Sequence, residues 1–545
     1  MNTAGINNHK GTHPARGDTT VQPYMPAATE TNRLAGERAT FRPSFWAKKH
    51  SLLLLTGITC LAFLLRFALL GEKALWIDEI WSIAISRMPW RSFLWIVWNR
   101  EPNMSLYYAF LHLWMRLGES EFVVRALSAL MGIATIPTLY ALGTRLFGRR
   151  TGLIASTLLA LNAFHIQWSQ EARAYSLTVL LVSLSSFYFT KSLERPSPRN
   201  LAFYVLTSSL ALYAHIYALL VLASQWVSLT CLKRREVPCK SLFSSAAMIG
   251  VFTLPLGLLI YERARHPWLP LGWLPKLSFH AVYDAFYVLA GNADFAGSHG
   301  GKAILVASAL VCLVAFVGWM RAWQLHGRSF YTWRWAFLLC WLFVPMALAL
   351  AISLVQPMFM SRYLLICAPP LVLLGAQGIR SLKPAPISVL ALIIVVGLAA
   401  QRLPQYYQHR HSYQEWKLVT SYVLNQSRAG DGTIFCIAPG RLLFDYYQDR
   451  YQIVFPKYLD LVYPEPGDEG KDPKVLDYLP PLNSSLLDSA VTQHPRIWLM
   501  VYHDTFAVTE EARDRIEASL RTRYRDVQKT KFGGVTVLLY SNGGS

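Results

Sequence analysis

Eleven apolar stretches, each close to the length that crosses a bilayer, follow one another along residues 51 to 401. Hydrocarbon has no water to hydrogen-bond a peptide group, so a chain that repeats such stretches is confined to a bundle of membrane-spanning helices. The spans read as 51–70, 122–144, 152–170, 175–191, 201–216, 218–232, 242–260, 302–320, 334–354, 363–379 and 385–401. Composition agrees, because only 15% of residues are charged where a soluble protein carries about 25%.

The basic residues give the orientation. Arg145, Arg149 and Arg150 fall on one side of this bundle, with Lys191, Arg195 and Arg199, and with Lys233, Arg234, Arg235 and Lys240. Arg321 and Arg328, and Arg380 and Lys383, join them, as do Lys48 and Lys49 ahead of the first span. Positive loops stay in the cytoplasm, which puts the N-terminus inside. Residues 1–48, polar and rich in Thr, Pro, Gly and Asn, read as a disordered cytoplasmic tail. Residues 49–401 form the membrane domain, and an odd number of spans sends 402–545 outside. There "GDGTIFCIA", "RIWLMVYHD" and "VTVLLYS" read as strands and Glu510–Arg523 as a charged helix, a small α/β domain. "YPEPGDEGKDPK" reads as a solvated loop.

The net charge of +20 sits in the topology-setting loops, which argues against nucleic acid as a partner. The seven cysteines, Cys60, Cys231, Cys239, Cys312, Cys340, Cys367 and Cys436, form no CxxC pair and read as small core residues.

The same topology collects unusual residues on the outer face. "LWIDEIWS" puts Asp78 and Glu79 in a long first loop, 71–121, studded with Trp76, Trp81, Trp90, Trp95, Trp98, Tyr107, Tyr108 and Trp114. Rings at that density suit helices lying in the membrane interface. Glu101 belongs to the same loop. "QWSQEARAY" brings Gln170, Glu171, Arg173 and Tyr175 to another outer turn, and "LYAHIYALL" brings His215. "YERARHPW" adds Arg263, and "QPMFMSRYLL" adds Arg362 and Tyr363. Ionisable groups at membrane depth are costly and tend to mark function. Several have plain structural readings as well. Asp78 suits the N-cap of a helix starting at Glu79, Arg125 a cation snorkelling to the interface, His215 a packed histidine, and Tyr363 an interface anchor.

A lipid-linked phosphate donor keeps its tail in the bilayer and its headgroup at the surface. Arginine forks suit such a phosphate and stabilise the charge it gains as a leaving group. A carboxylate opposite them can take the proton of an attacking hydroxyl or amine, the arrangement of an inverting displacement. No P-loop or dinucleotide glycine fingerprint points to a nucleotide-sugar donor.

"ALWIDEIWS" resembles the Asp-Glu motif in the first outer loop of the polyprenol-dependent glycosyltransferases with the GT-C fold. More narrowly, the chain resembles the bacterial branch of glycosyltransferase family 39, which includes protein O-mannosyltransferases and aminoarabinose transferases. The segments "EPNMSLYYAFLHLWMRLGESEFVVRALSALMG", "RLFGRRTGLIASTLLALNAFHIQWSQEARAYSL" and "PMFMSRYLL" carry the likeness across most of residues 51–380. It implies a GT-C fold of about 11 transmembrane helices with a small outer α/β domain, set in a bacterial inner membrane. It implies Asp78 as catalytic base with Glu79 assisting. It also implies lipid-phosphate contacts from outer-face basic residues, for which Arg173 and Arg362 are the candidates; the outer turns supply the wider binding set of Glu101, Gln170, Glu171, Tyr175, His215, Arg263 and Tyr363. The donor would be a polyprenyl-phosphate sugar and the acceptor a lipid, glycan or protein. Metal use varies in this family, and one acidic pair does not establish a cation site. The Pro-Pro common after the loop turn is absent here, where Asn103, Met104 and Ser105 follow Pro102, and a Lys-containing turn is missing. Both departures weaken the aminoarabinose reaction in particular. A transporter or flippase of lipid-linked saccharides is the alternative class, but it would spread polar residues through the span centres. A binding module on a membrane anchor is a third, and eleven spans are excessive for an anchor.

Overall fold

The computed structural model describes residues 45–265, 277–294, 301–408, 414–451, 460–463, 493–502 and 507–542. By its contacts the chain divides into residues 1–52, of which only the start of the first helix is described, and residues 53–545, which carry every feature of the site. The Pro/Gly/acidic loop lies outside the described residues from 464 on, as does most of the N-terminal tail.

Every expected span is helical. Eight helices among the described residues are long and apolar enough to cross a membrane. They include α1 (Phe45–Phe67), α5 (Glu121–Phe147), α8 (Tyr175–Glu194), α11 (Cys239–Arg265), α13 (Lys302–His326), α14 (Phe330–Ser353) and α16 (Ala385–Gln408). The eighth is a 3₁₀ turn, Ser361–Cys367, running into α15 (Ala368–Ser381). Shorter pieces fill the other spans. The expected 152–170 helix is broken into α6 (Arg149–Ala160) and α7 (Ala163–Ser169), because Asn162 leaves the helix and caps it anew through its side chain to His165 N at 2.9 Å. The apolar run at 201–232 divides at His215 into α9 (Pro198–Ala214) and α10 (Ala218–Ser228), as its basic flanks suggest. Where α5 turns back into α6, glycines allow close contact: a Cβ on Gly143 would lie 2.9 Å from Gly152 Cα.

The first loop folds into three short helices, α2 (Ile77–Arg87), α3 (Trp90–Asn99) and α4 (Ser105–Trp114). α3 leaves Trp90, Leu94, Trp95 and Trp98 exposed, an apolar face suited to the interface. α12 (Phe279–Leu289) is a further short helix, between α11 and α13.

Past α16 come α17 (Trp416–Gln426), β1 (Gly432–Phe435), α18 (Ala438–Tyr451), β2 (Asp460–Tyr463), β3 (Arg496–Tyr502), α19 (Ala507–Arg523), β4 (Asp526–Phe532) and β5 (Val535–Ser541). The sheet order is β2-β1-β3-β5-β4, parallel from β2 to β3 and antiparallel from β3 to β4. β1, β3 and β5 are the three expected strands; β2 and β4 are additional. β4, "DVQKTKF", is exposed along most of its length and has no apolar alternation to reveal it, as suits a lysine-guarded edge.

Candidate active site

Helix α2 begins at Ile77, with Trp76 at the N-cap offering no side-chain acceptor. Asp78 therefore sits in the first turn and not at the cap. There both carboxylates complement the positive end of the helix. Successive helical residues are rotated by about 100°, so the two neighbours meet different surroundings.

Glu79 points inward and is fully buried. Its Oε1 accepts from Arg125 Nε at 2.7 Å and from Ala172 N at 2.9 Å, and its Oε2 from Arg125 Nη2 at 2.7 Å. The remaining Arg125 protons go to the carbonyl oxygens of Leu70 (3.1 Å), Lys73 (2.7 Å) and Ala74 (3.1 Å). Burial alone would raise the Glu79 carboxyl, but the Arg125 charge and hydrogen bonds, with Lys73 and the Ala172 N–H, carry it below its ordinary value. Both findings differ from the sequence expectations. Arg125 does not snorkel to the interface, and Glu79 presents no surface to a substrate. The pair is a clamp joining α2, α5 and the turn before α8.

Asp78 turns the other way, with 22% of its side chain exposed. Its Oδ2 accepts no hydrogen bond among the described residues and lies 3.5 Å from Arg362 Nη1. Its backbone oxygen accepts from Arg173 Nη1 at 3.0 Å and from Ser82 Oγ at 3.1 Å. Arg173 also donates to Ser82 Oγ at 3.2 Å, while its buried Nε has no partner among the described residues. Burial works against the Arg173 charge, yet Tyr108, Asp78, Tyr175 and Glu101 around it hold the guanidinium more firmly protonated than usual. Arg362 lies over the rings of Trp76 at 5.7 Å and Tyr363 at 5.5 Å.

Aromatic residues wall the other side. Tyr363 stands 5.2 Å from the His215 ring, 5.0 Å from Tyr217 and 6.2 Å from Tyr175. With Arg362 and Thr178, three of these residues, Tyr175, His215 and Tyr363, line a small cavity. Tyr175 Oη and His215 Nε2, both buried, have no hydrogen-bond partner among the described residues. Burial, reinforced by the Arg173 and Arg362 charges, pushes the His215 imidazole down to about 3, so it is neutral at ordinary pH.

The other expected residues divide. Glu171 is buried and held by Lys73 and by the Trp76 indole N–H at 2.6 Å. Burial raises its carboxyl against the pull of Lys73, and the neighbouring Glu79 adds to the rise. Gln170 is structural: its Nε2 donates to the carbonyls of Arg66 at 3.1 Å and Ala68 at 2.8 Å, and its Oε1 accepts from Tyr406 Oη at 2.6 Å. It ties the end of α1 to α16. Glu101 sits between α3 and α4, near enough to act on the Tyr108 and Arg173 charges. The Arg263 side chain lies outside the described residues.

Sequence reading missed Lys73, and also Asp294, whose Oδ2 accepts from Ser361 Oγ at 2.7 Å beside Arg362. Burial raises the Asp294 carboxyl. Nothing in "GNADFAG" marks it, because its importance comes from a neighbour 67 positions away. Among the described residues no three His, Cys, Asp or Glu side chains gather as a cation would require.

Residues 102–261 match the sequence model of the dolichyl-phosphate-mannose-protein mannosyltransferase family. No curated protein sequence matches the chain. Among solved structures, ArnT from Cupriavidus metallidurans in the apo state is similar, with TM-score 0.57 at 13% identity over 90% of this chain and 98% of that one. The same protein bound to undecaprenyl phosphate gives 0.52 at 12% identity over 89% and 97%. The Archaeoglobus fulgidus oligosaccharyltransferase tethered to an acceptor peptide gives 0.53 at 10% identity over 92% and 75%. Residues 102–261 thus match a glycosyltransferase family model, and this multi-pass membrane protein shares the GT-C fold of those structures.

Proposed function

We propose that the protein transfers a sugar, with inversion, from a polyprenyl-phosphate donor to a hydroxyl or amine of a lipid, glycan or protein acceptor. The transfer would take place on the outer face of a bacterial inner membrane. The observation that carries this reading is Asp78: a partly exposed carboxylate whose Oδ2 accepts no hydrogen bond among the described residues, opposite Arg362 and anchored from behind by Arg173. ArnT, similar in fold, has been solved with undecaprenyl phosphate bound, which fits a lipid-phosphate donor. The gathering of Arg145, Arg149, Arg150 and Arg380 at the helix ends where α5 meets α6 and α15 stops supports the outer assignment.

In the proposed reaction Asp78 takes the acceptor proton as its oxygen or nitrogen bonds to the sugar C1. The C1–O bond to phosphate breaks, and its electron pair leaves on the lipid phosphate. Arg362 and Arg173 meet that growing charge with donors already in place. A phosphate entering between the arginines competes with Asp78 for Arg362, so donor binding would itself release the base. Glu79 takes no part in the transfer; it fixes the helix that carries Asp78.

The test uses protein in proteoliposomes, supplied with the lipid-linked sugar fraction of host membranes, and measures released polyprenyl phosphate. Asp78→Asn should abolish release while the protein stays folded at normal levels; undiminished release would remove Asp78 as base. Movement of the lipid across the bilayer without any release would favour the flippase reading instead.

A further inference from the structure

The helix that carries Asp78 does not cap itself, and its missing acceptors come from the C-terminal domain. The first N–H groups of a helix have no partner within it and need one from elsewhere. Ile77 N donates to Gln414 Oε1 at 3.0 Å, and two residues earlier Leu75 N donates to Tyr447 Oη at 2.7 Å. Gln414 and Tyr447 lie more than 300 positions away in sequence and are buried. Gln414 is fixed in turn, since its Nε2 donates to Tyr502 Oη at 3.0 Å at the end of β3. Tyr447 belongs to α18, which reaches α2 at its far end too. There Arg87 lies 5.6 Å over the Tyr446 ring, and Tyr446 Oη donates to Glu119 O at 2.7 Å.

We propose that Gln414 and Tyr447 are positioning residues that set Asp78 against Arg362, so that the C-terminal domain completes the active site from a distance. The proposal rests on Asp78 being the base. An acid–base group must sit within hydrogen-bond reach of its proton, and a displacement near 1 Å can cost about a hundredfold in rate. The Asp78 carboxylate itself is loosely held, 3.5 Å from Arg362 with no hydrogen bond to its Oδ2 among the described residues, so its place follows the backbone of the first turn of α2. The two acceptors flank Trp76, whose indole N–H reaches Glu171 and whose ring lies under Arg362. A shift of this turn would therefore displace both the base and the ring that lies under Arg362.

Three variants of the full-length protein test the clamp. Gln414→Met keeps the shape and removes the acceptor, while Tyr447→Phe keeps the ring and removes the hydroxyl. Gln414→Glu restores an acceptor, and a carboxylate suits a helix N-terminus. Hydrogen–deuterium exchange of residues 74–82 should speed up at least tenfold in Gln414→Met and Tyr447→Phe and return toward wild type in Gln414→Glu. Turnover of the host lipid-linked sugar fraction should fall about tenfold or more in kcat, with KM within twofold and again with rescue by Gln414→Glu. Unchanged exchange would overturn the clamp whatever the turnover. Faster exchange with unchanged kcat would overturn its bearing on catalysis. Full turnover by Asp78→Asn would overturn the base reading alone, since the exchange measurement does not depend on it.

Discussion

The two sides of helix α2 carry neighbouring carboxylates with opposite fates. On the sealed side, Glu79 is fully buried and grips Arg125 through two hydrogen bonds of 2.7 Å. On the open side, Asp78 Oδ2 lies 3.5 Å from Arg362 and accepts no hydrogen bond among the described residues. A fully buried ion pair can fix a fold but lies out of a substrate's reach; a loose pair at the edge of a cavity holds little together and can still accept a proton. Losses on the open side should therefore appear in rate, and losses on the sealed side in folding.

Asp78→Asn is the severest test of the open side. Removing a general base costs ~10²–10⁴-fold in turnover, and because Asp78 Oδ2 accepts no hydrogen bond among the described residues the variant should reach membranes at wild-type levels. Turnover beside quantitative immunoblotting checks both halves. On the sealed side, Glu79→Gln leaves Arg125 buried without its counter-charge, and breaking a buried pair costs about 3–5 kcal/mol. Its expected signature is a lower unfolding temperature and lost protein, measured by thermal melting in detergent. A Glu79→Gln protein of normal stability and no activity would reverse the comparison.

Arg362→Lys comes next. Lysine keeps the charge but not the planar fork, and losing one preorganised donor to a developing anion costs about 10²-fold in turnover. Stability should fall less than for Glu79→Gln, because lysine keeps the positive charge facing Asp78 and the Trp76 and Tyr363 rings. Parallel melting and turnover measurements separate this from the Glu79 result.

How much of this contrast could be read from the chain depended on range. The span pattern and the basic loops made the bundle legible, down to the split at His215, because hydropathy and charge are local signals. "LWIDEIWS" stood out for the same reason. Which of its two acids is sealed was not legible: that is decided by Arg125, 46 positions away, and by the Ala172 N–H, 93 positions away. Gln170 looked like a site residue because it is polar at the right depth, but three carbonyls near the end of α1 and Tyr406 consume it. The break at Asn162 and the edge strand β4 were hidden for lack of any apolar rhythm to mark them.

His215 offers the smallest and most specific test, since it stands in the aromatic wall on the open side yet should contribute no titration to catalysis. Burial and the flanking arginines hold its imidazole down to about 3, against an ordinary histidine value near 6.5. Between those values the unfolded chain binds a proton that the folded chain does not, so stability rises with pH across the window and is complete above it. His215→Phe keeps a ring against Tyr363 but leaves Tyr217 N without its acceptor at 3.2 Å, a loss of about 1 kcal/mol at neutral pH. Melting temperatures measured from pH 4 to 8 should then fall less steeply toward acid in the variant than in the wild type. The pH–rate profile between 6 and 8 should keep its shape, because an imidazole that is already neutral there has no charge to change. A limb near pH 6.5 that vanished in His215→Phe would mean that the histidine titrates in the working enzyme, and the open side would then hold two proton-carrying groups.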